Sequence, residues 1–137
     1  DGVLTTTLEA DEILTEIRIP KTAANSGAAF VEISRRRGDF ALAGVAAQVT
    51  LDAGKIAEVQ LAACGVGPGP VRLRDAENRI RGAALTEDAL SKAREAASSA
   101  ADPEGDVHAT ADYRRKLAGV MTGRAVQKAA ARAGGQA

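Results

Sequence analysis

The chain has 137 residues, enough for one domain with its own core and too few for two of ordinary size. Eighteen Lys and Arg balance eighteen Asp and Glu, and the aromatics are only Phe30, Phe40 and Tyr113, so neither a global field nor a stacking platform points to nucleic acid. One Cys (Cys64) and one His (His108) allow no internal disulfide and no zinc set, which suits a reducing cytoplasm, and no run approaches the roughly 20 apolar residues of a membrane span.

In chain order, Ile13, Thr15, Ile17 and Ile19 alternate with Leu14, Glu16 and Arg18 up to Pro20, a period of two that predicts a half-buried first strand. KTAANSG (Lys21 to Gly27) reads as a surface connection into a short extended piece, Ala29 to Ser34. Val45, Ala47, Val49 and Leu51 form one side of a further strand. Asp52-Ala53-Gly54-Lys55 then predicts a bulged hairpin turn with Gly54 at positive φ, and Ile56 to Cys64 is the returning strand. GVGPGP (Gly65 to Pro70) is a break; it lacks the Lys-Ser/Thr and the glycine spacing of a phosphate loop.

Beyond it the period becomes helical. Leu73, Ala76 and Ile80 predict a short helix that Gly82 ends. Thr86 is an N-cap before Glu87 and Asp88, with Leu90, Ala93 and Ala97 as the buried stripe. After a loop from Ser98 to Asp106, Thr110 caps a last helix whose apolar face carries Tyr113, Leu117, Val120 and Met121, with Arg124, Lys128 and Arg132 at its dipole-favoured end. Strands followed by helices predict an α+β domain: a three-stranded antiparallel sheet at about 11–64, with a three-helix bundle at about 71–133 packed on one face.

Chemistry is sparse. Cys64, at the end of an apolar strand, reads as core packing, and His108 as a solvated loop residue; neither suggests catalysis, and no metal set is present. SRRRGDF (Ser34 to Phe40) is the exception. Gly38 permits close backbone approach, Asp39 offers an acceptor, Phe40 offers a flat apolar face, and Arg35 and Arg36 supply positive potential. This set suits the border of an anionic or aromatic cofactor, against the alternatives of a solvated edge or a nucleic-acid patch.

The ordered series EILTEIRIP (Glu12 to Pro20), SRRRGDFALAGVAA (Ser34 to Ala47), GVGPGPVR (Gly65 to Arg72), Gly82 and DYRRKLAGVM (Asp112 to Met121) resembles the C-terminal domain of the flavoprotein, or medium, subunit of molybdenum hydroxylases such as carbon monoxide dehydrogenase. The resemblance implies an oxidoreductase heterotrimer. Substrate is oxidised at a molybdenum cofactor in a large subunit, electrons pass two [2Fe-2S] clusters in a small subunit, and FAD in the medium subunit delivers them to an acceptor. It further implies that FAD is held mainly by a preceding N-terminal domain, of which Asp1 to Ala10 is the tail, that residues 11–137 are the C-terminal domain, and that this chain has no turnover alone. Arg35, Arg36, Gly38, Asp39 and Phe40 then border the isoalloxazine, while Tyr113, Arg114 and Arg115 serve the sheet–helix junction. Phe40 stands where carbon monoxide dehydrogenase has Tyr, and Glu32 where relatives carry Lys. A docking or adaptor domain without flavin is the alternative.

Overall fold

The computed structural model describes residues 6–135, so the first half of the expected tail, residues 1–5, lies outside the described residues. Four antiparallel strands, β1 (Ser26–Ile33), β2 (Ala43–Asp52), β3 (Lys55–Cys64) and β4 (Val71–Arg72), form one sheet in the order β1-β2-β3-β4. Three helices follow: α1 (Arg74–Ile80), α2 (Glu87–Ala100) and α3 (Ala111–Ala133). The α+β class and the helices gathered on one face are as expected. The strand count is not. Residues 12–20 join no strand of this sheet; its edge is β1, and the two-residue β4 closes the other side.

Alternation explains the sheet. On one side Ala43, Val45, Ala47 and Val49 of β2 and Ile56, Val59, Leu61 and Ala63 of β3 are buried beneath the helices. On the other, Ala28, Phe30 and Glu32 of β1 and Ala46 of β2 face outward. Cys64 sits half-buried on that outer side, beside Gly44, rather than in the core. The hairpin is tighter than expected. Asp52 pairs with Lys55 across a two-residue turn in which Ala53 and Gly54 both have positive φ (45° and 75°), and the bulge lies in the strand, where the register slips between Thr50 and Leu51.

α3 lies across β1 and β2, α2 packs on α3, and α1 joins α2 to β3. Both expected caps are present: the Thr86 hydroxyl accepts from the Ala89 N–H and the Thr110 hydroxyl from the Tyr113 N–H, each at 3.2 Å. Leu117 and Met121 fill the core from α3, whereas Tyr113 is 45 % exposed. α2 runs to Ala100, so Ser98 and Ser99 are helical; the Ser99 hydroxyl donates to the Glu95 carbonyl, satisfied within the helix. No described helix is long and apolar enough to cross a membrane.

One buried acid, unmarked in the sequence, joins sheet and helices. Glu77 lies one turn from Leu73, on the inward face of α1, and is 3 % exposed. Its carboxylate accepts from the Leu61 N–H at 2.7 Å, where β4 is too short to pair, and from the Arg72 guanidinium. Burial alone would raise its pKa, but the Arg72 hydrogen bonds, the Leu61 N–H and the charges of Arg72 and Arg81 outweigh it and hold the carboxyl below the ordinary value. A depressed acid stabilises the fold above its unfolded pKa, near 4.3, and that contribution is lost as pH falls through the folded value. Urea unfolding should therefore show stability flat from about pH 7 to 5 and declining below about pH 4. Glu77→Gln should cost about 1 kcal/mol at neutral pH and flatten part of that acid decline; an unchanged acid limb would contradict the role given to Glu77.

Candidate functional site

The arginine run occupies the β1–β2 connection, Ser34 to Ala41, closed at its base where the Leu42 N–H donates to the Ile33 carbonyl at 2.8 Å. Local polar bonds shape the loop: the Ser34 hydroxyl donates to the Arg36 carbonyl, the Asp39 N–H does the same at 3.2 Å, and Gly38 takes φ 89°, which a side chain would resist. The loop therefore folds on itself and turns its side chains outward.

The five sequence-selected residues are brought together, with different surroundings. Arg36 is exposed. Arg35 and Asp39 lie 3.5 Å apart, a charge contact without a hydrogen bond. Asp39 Oδ2 is the atom that faces Arg35; it is shielded from water and, among the described residues, makes that charge contact but no hydrogen bond. The Arg35 charge offsets part of the desolvation of this oxygen, and the side chain is about a third exposed, so the carboxylate keeps room to accept from an incoming N–H. Phe40 is 100 % exposed, and a partner that covered its ring would gain about 2 kcal/mol of apolar burial. An aromatic heterocycle with N–H donors fits this pair: the ring plane against Phe40 and a donor toward Asp39.

Arg114 supports the loop from beneath. Rooted in the first turn of α3, it donates to the Leu42 carbonyl at 2.7 Å, to the Gly65 carbonyl at 3.3 Å and to Asp106 at 2.7 Å. It thus ties the end of the arginine loop, the turn after β3 and the α2–α3 connection to one side chain. The expected sheet–helix junction role falls on this residue, whereas Arg115 pairs with Asp112 and Asp102 at the surface. Asp106 is held by the His108 and Ala109 backbone N–H groups and by Arg114, which together keep its carboxyl below the ordinary value.

Between the loop and this brace lies a concavity of ≈ 370 Å³, lined by Arg35, Asp39, Phe40, Asp106, His108 and Arg114 among others. His108 is an exposed loop residue, as expected, but its loop forms the far side of this hollow. No local pattern marks Asp106 or His108 as neighbours of the arginines, because the chain brings them back more than sixty positions later. Among the described residues, no three His, Cys, Asp or Glu side chains cluster to hold a metal.

Residues 28–129 match the CO dehydrogenase flavoprotein C-terminal domain family. The chain is 37 % identical over 132 residues to the carbon monoxide dehydrogenase medium chain of Afipia carboxidovorans, covering 96 % of this chain and 46 % of that one. It is 36 % identical over 132 residues to caffeine dehydrogenase subunit beta of a Pseudomonas species, covering 96 % and 45 %. The solved carbon monoxide dehydrogenase of Hydrogenophaga pseudoflava superposes with a TM-score of 0.88 at 36 % identity, over 93 % of this chain and 45 % of that one. The chain thus spans about half the length of the relatives it matches, which are named for unlike substrates at near-equal identity. With the fold, the ordered motifs and a match over most of this chain agreeing, the chain belongs to the CO dehydrogenase flavoprotein C-terminal domain family.

Proposed function

We propose that this chain is the C-terminal part of the FAD subunit of a molybdenum hydroxylase, and that its arginine loop forms one wall of the flavin site. The observation that carries the reading is the pairing, on one loop, of a fully exposed Phe40 with an Asp39 carboxylate whose Oδ2 faces Arg35 and makes no hydrogen bond. The remainder of the FAD is held by the preceding domain. In this reading the partners are an iron–sulfur small subunit with [2Fe-2S] clusters and a large subunit with the molybdenum cofactor, together in the cytoplasm, for which the single, unpaired Cys64 is the support.

The roles of the residues follow from their chemistry. Flavin, when bound, supplies a store that takes up electrons and releases them in pairs. Phe40 covers one part of the ring and excludes water from it. Asp39 accepts from a ring N–H and so fixes orientation, while Gly38 lets the loop backbone come close. Arg35 and Arg36 set a positive local potential that favours added negative charge on the group they face. Arg114, through the Leu42 carbonyl, keeps all of them in place. The substrate is chosen elsewhere: near-equal identity to subunits named for carbon monoxide and for caffeine supports a domain that serves electron flow rather than selection.

The second reading, a docking domain without flavin, is favoured by the outer sheet face, where Phe30 is 53 % exposed beside a concavity of ≈ 460 Å³ floored by Ala28, Ala46 and Ala62. Titration of FAD by absorption and fluorescence separates the two. The flavin reading predicts binding by the full-length subunit, and weaker binding when residues corresponding to this chain are removed. Equal binding without them would give the domain to docking and return the arginine loop to the solvent.

A further inference from the structure

The stretch Glu12 to Pro20 has the pattern of a strand and no sheet. Ile13, Ile17 and Ile19 are 82 %, 75 % and 85 % exposed, on the side that a period of two would bury. Glu16 and Arg18, two apart on the opposite side, pair at 2.5 Å, as neighbours on one face of an extended chain can. Among the described residues, no backbone N–H or carbonyl from residue 13 to residue 22 is paired with another backbone group, and the stretch does not add to the β1 edge, where Arg132 instead caps the Ala28 carbonyl. Three isoleucines in water and a row of unpaired amides are what a sheet edge elsewhere would complete.

We infer that residues 12–20 are a strand of the sheet of the domain that precedes this one, adding to it by backbone pairing and burying Ile13, Ile17 and Ile19 there. This rests on the proposal that the chain is the C-terminal part of a longer subunit. Two findings select that occupant. The family match begins only at residue 28, whereas the relatives align over 96 % of this chain, so the stretch is shared with them while lying outside the C-terminal domain. The same relatives carry more than half of their length outside the aligned region, which is sufficient for another sheet. The junction between the two bodies then falls in Lys21 to Asn25, not at residue 10, and the strand anchors the chain a few residues before the β1 that leads into the arginine loop.

Amide hydrogen exchange of the full-length subunit tests this, read by peptides spanning residues 12–20 and 43–64. The expected result is exchange at 13–19 slowed at least about a hundredfold relative to the 137-residue chain alone. Ile17→Asp should release that protection while residues 43–64 keep theirs; Glu16→Lys, on the wet side, should leave it in place. Fast exchange at 13–19 in the full-length subunit overturns the inference and makes the stretch a linker. Protection in the 137-residue chain alone that grows with protein concentration overturns it in favour of a second copy. Protection in a full-length subunit that binds no FAD supports the strand while defeating the flavin reading, so the two fail separately.

Discussion

Arg114→Met should lower the unfolding free energy by about 3 kcal/mol, read as a drop in the urea midpoint, because it removes the hydrogen bonds of a charged, largely buried guanidinium to the Leu42 and Gly65 carbonyls and to Asp106. Arg114 is 9 % exposed, and its bonds to the Leu42 and Gly65 carbonyls cross 72 and 49 positions of sequence. Methionine keeps most of the volume, so the loss measures hydrogen bonding rather than a cavity. Arg114→Lys should recover only part of it: an ammonium reaches one or two of these acceptors, whereas the guanidinium fork meets the Leu42 carbonyl and Asp106 from different nitrogens. Full recovery by lysine would show that charge, not fork geometry, is what the junction needs. In the full-length subunit the same Met variant should also weaken FAD binding, since the brace and the loop share Leu42.

Gly27→Ala should be comparably damaging, for a steric reason. A methyl group at residue 27 would fall on the Ala129 carbonyl oxygen and the Ala133 nitrogen, backbone atoms of α3 that cannot rotate aside. Overpacking of side chains costs about 1–3 kcal/mol, and a clash with backbone belongs at the upper end of that range. The contact is further held where Arg132 donates to the Ala28 carbonyl at 2.6 Å, so relief requires β1 and the end of α3 to part. The same substitution at Gly54, where nothing lies within 4 Å of a new methyl, meets only the strain of φ 75° and should cost about 1 kcal/mol. Thermal unfolding of the two variants checks the order; equal losses would deny the close β1–α3 approach its role.

The contrast between Gly27 and Gly54 also shows what the sequence disclosed. Gly54 sits between two alternating runs, and the hairpin 42–64 followed from it. Thr86 and Thr110 marked their helices because a capping hydroxyl is a local signal. β1 was faint for the opposite reason: its start, Ser26-Gly27-Ala28-Ala29, is built of small residues so that α3 can approach, and smallness weakens the strand signal. The stretch 12–20 misled because alternation states that one side of a strand meets apolar surface, not whose surface it is. At the site, SRRRGDF stood out through composition and its glycine, whereas Asp106 and Arg114 reach it only through tertiary folding, and Glu77 became visible only with the unpaired Leu61 N–H in view.

Potentiometry of the full-length subunit tests directly whether Asp39 and Phe40 face the flavin as proposed. With FAD retained, Asp39→Ala removes a negative charge beside the ring and should raise the two-electron midpoint potential, by about 30 mV for each tenfold change in relative affinity for the reduced form. Phe40→Ala should shift the visible flavin bands by admitting water. Potential and spectrum unchanged in both variants, with the fold intact, would contradict the account.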